Sequence, residues 1–234
     1  MCSCEVRSRR KKLPCCFIFS LALALGWLPS SWAEAVELPK LHLTVYVFNS
    51  AHVGSRDLTK AEDQAADVFE KVGIKITWVA GLTAREAMGH SAGEAWNPAN
   101  LDLRIWTRPM ARGTAIPSNA LGYCLSMERG EAVVLSDVIQ NLAAIWGTNA
   151  ADILGLSMTH EIGHLLLRTG RHSAAGMMEH RYLQKDLASA ERGSLLFTQE
   201  ESNALQNEVR RRTDTSGPKC LNAAGESTPP QDQP

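Results

Sequence analysis

Residues 160–164 read His-Glu-Ile-Gly-His. On a helix, His160 and His164 project from one face about one turn apart. At that spacing two imidazoles can grip one tetrahedral Zn2+. Glu161 stands beside the first histidine, where a carboxylate can take a proton from metal-activated water and hand it to a leaving amine. The flanking residues Leu154, Met158, Ile162, Leu165 and Leu166 are apolar. A His-Glu-His group on so apolar a helix needs partners that offset its desolvation, and a metal supplies them. The expected chemistry is hydrolysis, with one Zn2+ per chain, Glu161 as the catalytic residue and His160 and His164 as metal ligands.

A hydrolytic zinc site commonly takes three protein ligands and leaves a fourth position open. His172 is the preferred third ligand, because Gly170 allows the helix to end and the chain to reverse toward the metal. His180, Glu179 and, from a later segment, Glu191 remain rivals. His42, His52 and His90 lie far from the motif and are expected to be structural or exposed.

The elements that must position this group follow from periodicity. Residues 41–48, 74–79, 101–106 and 131–136 read as strands, being rich in β-branched and apolar residues. Residues 59–72 read as a helix with Ala61, Ala65, Val68 and Phe69 on one face, ended by Gly73. Residues 80–100 read as a loop. Residues 107–130 carry Pro109, Gly113, Pro117, Gly122 and Gly130 and read as irregular. The motif falls in a long helix over 150–167, capped by Asn149. Gly170 and Gly176 break the chain after it. Thr198 opens a last helix, with Glu201 three residues on as a capping box, running to about residue 212. The order predicts one α+β domain.

With 234 residues and 44% hydrophobic content, the chain can bury one core of ordinary size. Its formal net charge of −1 leaves no basic face for nucleic acid. Arg7, Arg9, Arg10, Lys11 and Lys12 precede an apolar run over 15–28 and the small residues Ser30, Ser31 and Ala33. That is the pattern of a secretory signal peptide over residues 1–33, so a secreted or periplasmic chain is expected. The domain then spans 34–212, and the polar tail over 213–234 is expected to be disordered except near Cys220. Cys124 and Cys220 remain after cleavage. In an exported chain they suggest one disulfide, two unpaired thiols being the alternative. The expected partner is a peptide or protein substrate, with no membrane contact after signal cleavage, and the chain is expected to be a monomer.

The stretch HEIGHLLLRTGRHSAAGMM, residues 160–178, resembles the metzincin clan of zinc peptidases. His160, Glu161 and His164 match the first half of its pattern. Ser173 after His172 resembles the His-Ser step of the matrixin branch, and Gly176-Met177-Met178 resembles the Met-turn, with Met178 as its methionine. The resemblance implies a zincin-like (metzincin-like) domain: a mixed twisted sheet with an antiparallel edge strand, an active-site helix, a Met-turn and a C-terminal helix. It implies that the strand over 131–136, through Ala132, Val133, Val134 and Leu135, is the edge that binds substrate. The pattern departs from the clan at Leu167 and Gly170, where the clan has Gly and its third His. A helix running an extra part-turn before reversing at Gly170 would accommodate the shift to His172. Tyr182, which does not match the clan's tyrosine spacing, is expected at the surface. The implied activity is that of a zinc-dependent endopeptidase. The alternative is a secreted zinc-binding module of the same fold without proteolytic turnover.

Overall fold

The computed structural model describes residues 41–81, 99–117 and 119–216. The expectations for residues 1–33, for Cys220, for His90 and for the tail beyond 216 fall outside them.

The elements run β1 (Leu41–Asn49), α1 (Ser55–Lys71), β2 (Ile74–Ala80), β3 (Leu101–Trp106), a 3-10 turn (Arg108–Ala111), β4 (Gly122–Ser126), β5 (Glu131–Leu135), α2 (Ser136–Trp146), α3 (Ala150–Leu167), α4 (Gln184–Glu191) and α5 (Gln199–Ser216). The five strands form one sheet in the order β2-β1-β3-β5-β4. The first four are parallel. β4 runs antiparallel to β5, with an irregularity between Cys124 and Ser126. The fold is thus α+β, a mixed sheet with an antiparallel edge strand and helices.

One face of the sheet, carrying Leu43, Val45, Ile74, Leu103, Ile105 and Val134, packs into the main core. α1 adds the stripe Ala61, Ala65, Val68 and Phe69. α3 is buried on nearly every side, from Ala151 to Leu166. An all-round buried helix must satisfy its own polar groups. Ser157 and Thr159 do so by donating to the carbonyls of Ile153 and Gly155, both at 2.8 Å. At its start, the Asn149 side chain accepts from the Ala151 amide at 2.8 Å, the expected cap. α1 and α3 approach closely at Gly155, where a Cβ would stand 2.9 Å from the Ala61 carbonyl oxygen. Lys60 and Asp152 join the same two helices at 2.7 Å. No described helix is long and apolar enough to cross a membrane.

Two expectations are corrected here, the irregular segment and the edge strand. Residues 107–130 are not wholly irregular, for they contain β4. That strand takes the sheet edge, and β5 lies inside, paired to β3 on one side and β4 on the other. Ala132, Val133, Val134 and Leu135 are 0% exposed and cannot receive a substrate strand. The physical reason stands in their sequence: an unbroken apolar run suits a strand buried on both faces, whereas a half-solvated edge alternates. Val133 and Leu135 meet a second, small cluster with Ala111 on the far face. No element is expected from the sequence over residues 137–149; α2 lies there, following β5 without a loop and ending at Gly147, whose φ is 66°.

Candidate metal centre

α3 carries His160, Glu161 and His164, all buried. Each of the two histidines is oriented by its Nδ1. His160 Nδ1 lies 2.9 Å from the Met177 carbonyl oxygen and 2.8 Å from the Tyr182 hydroxyl. His164 Nδ1 lies 2.7 Å from the Thr169 carbonyl oxygen. A carbonyl only accepts, so both Nδ1 atoms carry the proton and both Nε2 atoms present a lone pair. This is the outer support that metal-binding histidines use.

The chain reverses to bring in His172, but not where the glycine suggested. α3 ends at Leu167, and Arg168 itself takes the left-handed conformation, φ 51°. Its guanidinium reaches Glu208 of α5 at 3.6 Å. His172 Nε2 then stands 3.2 Å from His164 Nε2. Tetrahedral zinc with Zn–N bonds of 2.0–2.1 Å separates its ligand nitrogens by about 3.3 Å, so the spacing fits. Ligand atoms of His160, His164 and His172 all lie within 4.8 Å of one another. They form the one cluster of three or more metal-competent residues among the described residues. His180 sits outside it, its ring 4.7 Å from that of His172. Glu179 is also outside, and Glu191 lines a separate groove with Lys60, Asp63 and Asp152.

The electrostatics suit a cation. Burial, with the neighbouring histidine charges, pushes His160 down to about 3. Burial also lowers His164, and burial with the charges of His164 and His180 lowers His172. Three neutral imidazoles are what a metal needs. Burial raises Glu161 to about 8, opposed by a hydrogen bond from Cys124. The donor set therefore fits a zinc ion, with a carboxylate of raised basicity beside it.

The segment after His172 forms a tight turn beneath the helix. The Ser173 amide donates to the Met178 carbonyl at 2.8 Å, and the Met177 amide to the Leu196 carbonyl at 3.0 Å. Gly176 has φ 86°, and a Cβ there would stand 2.8 Å from the Leu196 carbonyl oxygen. Met177 and Met178 are buried. The sulfur of Met178 rests against Gly163, where a Cβ would lie 2.6 Å from it, so the glycine inside the HEIGH motif admits the methionine. Ser173 donates to Glu201, whose other carboxylate oxygen accepts from the Thr198 amide at 2.8 Å. The capping box of α5 thereby also anchors the turn.

Tyr182 is not the surface residue expected. It is half-buried, and its hydroxyl donates to the Met177 carbonyl beside His160. The bridge expected of Cys124 involves Cys220, which lies outside the described residues. Among the described residues Cys124 is a free thiol on β4, its Sγ 3.6 Å from Glu161 Oε2. Burial and the Glu161 charge push that thiol up, which makes it an inert donor rather than a nucleophile. Its neighbour Gly122 lets the strand pass directly over the carboxylate: a Cβ there would lie 2.6 Å from Glu161 Cγ and Oε1. Residue spacing alone could not have found these β4 contacts, since position 122 lies 39 places before Glu161. The histidines and Glu161 open into a cleft of about 730 Å³, walled by β4, α2, α3 and the segment around Tyr182.

No family model matches the chain, and no curated protein matches it. Among solved structures it is similar to a zinc-dependent peptidase from Methanocorpusculum labreanum, at 14% identity and TM-score 0.48, covering 69% of this chain and 99% of that one. It is also similar to archaemetzincin from Methanopyrus kandleri, at 16% identity and TM-score 0.44, covering 75% of this chain and 100% of that one.

Proposed function

We propose that the chain is a zinc-dependent endopeptidase of metzincin-like design. The observation that carries this reading is the convergence of three neutral imidazoles, His160, His164 and His172, beside the raised carboxylate of Glu161 in an open cleft. His160, His164 and His172 would hold Zn2+, one per chain. When bound, zinc supplies a Lewis acid for the scissile carbonyl and lowers the pKa of water.

The rest is the work of the chain's own side chains and backbone. Glu161, its carboxylate beside the three imidazoles, accepts the proton of the attacking water and returns it to the leaving amine. The Cys124 thiol donates to Glu161 Oε2, and Gly122 confines the carboxylate from above. β4 is the free edge of the sheet on the cleft, so an extended peptide can add to it as a strand, with Tyr123 exposed beside it. Met177 and Tyr182 hold the His160 ring while this happens. Export of the chain belongs to the same proposal and rests on the sequence of residues 1–33.

The test is cleavage of an unstructured protein by the zinc-loaded chain, compared with Glu161→Gln. The expected result is chelator-sensitive cleavage in the wild type and zinc binding without cleavage in the variant, a loss of about 10²- to 10⁴-fold. Zinc binding without cleavage in the wild type would favour a zinc-binding module instead. Equal activity in the two would refute the role of Glu161.

A further inference from the structure

The cleft continues past the histidines along α2, and that extension has a chemical character of its own. Leu142, Ile145 and Trp146 of α2 face Ile153 and Leu156 of α3 across it. From Val138 to Trp146, α2 has no charged residue. The charged side chains that line the cleft are Glu161 and the Glu179 and Arg181 of the segment carrying His180. Ile145 is 78% exposed, a large apolar side chain left in water at the mouth of the cavity. Ser157 lines the same wall, but its hydroxyl donates to the Ile153 carbonyl. The wall is also fixed in place: Gln184 Nε2 at the start of α4 donates to the Trp146 carbonyl at 3.0 Å.

We infer that α2 is a specificity-determining wall, and that it selects a large apolar or aromatic substrate side chain next to the scissile bond. This inference rests on the peptidase reading above. The occupant follows from continuity, since one cavity joins the three histidines and Glu161 to the α2 wall. A side chain entering from a peptide laid along β4 reaches apolar surface on both sides. An aromatic side chain brings some 150–250 Å² to bury, whereas an acidic or basic one would lose hydration with no charged partner on α2 to replace it, Asn141 being the one polar residue of α2 on the cleft.

The experiment measures binding, so it does not depend on turnover. Dipeptide hydroxamates whose side chain varies through Ala, Leu, Phe, Asp and Lys are titrated by calorimetry into the zinc-loaded chain, into Leu142→Ala and into Ile145→Asp. The second substitution is at an exposed position and leaves the core untouched. The expected result is Leu and Phe compounds binding at least tenfold tighter than those with Ala, Asp or Lys, with that preference reduced severalfold in both variants. Hydroxamates that bind equally whatever their side chain would overturn the apolar selectivity and leave the metal site standing. A preference unchanged in both variants would overturn the role of α2. Failure of every hydroxamate to bind the zinc-loaded wild type would overturn the peptidase reading itself, and this inference with it.

Discussion

The substitution Gly122→Ala places a methyl group where the side chain of Glu161 now lies. The new Cβ would sit 2.6 Å from Glu161 Cγ and Oε1 and 2.8 Å from Cδ. Carbon atoms rest at about 3.5 Å or more, so the carboxylate must move by roughly 1 Å or β4 must lift from the helix. A misplacement of that size at a reacting group costs about 10²-fold in rate, or ~2.7 kcal/mol of barrier. The first strain falls on Glu161 rather than on a ligand, since the three atoms nearest this Cβ all belong to Glu161. Stability should change little, because alanine in a strand regains about 0.5–1 kcal/mol of backbone entropy relative to glycine. The assay pairs kcat/KM on a fluorogenic unstructured substrate with zinc affinity by chelator competition and with Tm. The expected pattern is a hundredfold loss of kcat/KM at unchanged zinc affinity. Activity within threefold of wild type would refute the placement of Glu161 under β4. Joint loss of zinc and activity would show that Gly122 serves the fold rather than the carboxylate.

Other outcomes follow from the same geometry. Tyr182→Phe removes the hydroxyl that donates to the Met177 carbonyl and touches His160 Nδ1. Because the carbonyl remains as a partner, zinc affinity should fall by about tenfold, the low end for outer-shell losses; chelator competition reads it, and an unchanged constant would mean the carbonyl suffices. Glu208 gives a pH dependence. Burial works to raise it, but the hydrogen bond from Arg211 and the charges of Arg212 and Arg211 outweigh burial and hold it below the ordinary carboxylate value. A depressed folded-state value means the contribution is present above the unfolded value, about 4.3, and is lost as pH falls through the folded one. The Tm of Glu208→Gln should therefore lie below wild type at pH 7, and the gap should close as pH drops below about 4.3; a gap independent of pH would assign the effect to packing.

The parts of this molecule that could be read from the sequence are those whose signals are local. α3 runs over residues 150–167 as expected because its cap, its apolar flanks and its length are all contiguous. β3 coincides with its expected span for the same reason. The capping box of α5 is present, although the helix continues to Ser216. The interior position of β5 is a property of strand order, which no single segment encodes, although its unbroken EAVVL run carried the sign of two-sided burial. β4 was hidden because a five-residue edge strand holding a glycine has little pattern of its own. α2 does carry helical spacing at Val138, Leu142 and Trp146 and a glycine just past its end, but it begins on the last residue of a strand and so lacks a turn to announce it. His172 was found through the sense that the chain must reverse, yet the reversal falls on Arg168, held in the left-handed region where the spacing pointed to Gly170. Tyr182 meets His160 only through the turn at Gly176, a tertiary contact across 22 residues.

The central claim is a three-histidine metal site in which His172 is the third ligand. The most direct test is the zinc content of the metal-replete chain, compared with His172→Ala and His180→Ala. The predicted result is one zinc per chain in the wild type and in His180→Ala, and its loss in His172→Ala. No zinc in the wild type, or zinc lost with His180 and kept without His172, would contradict it.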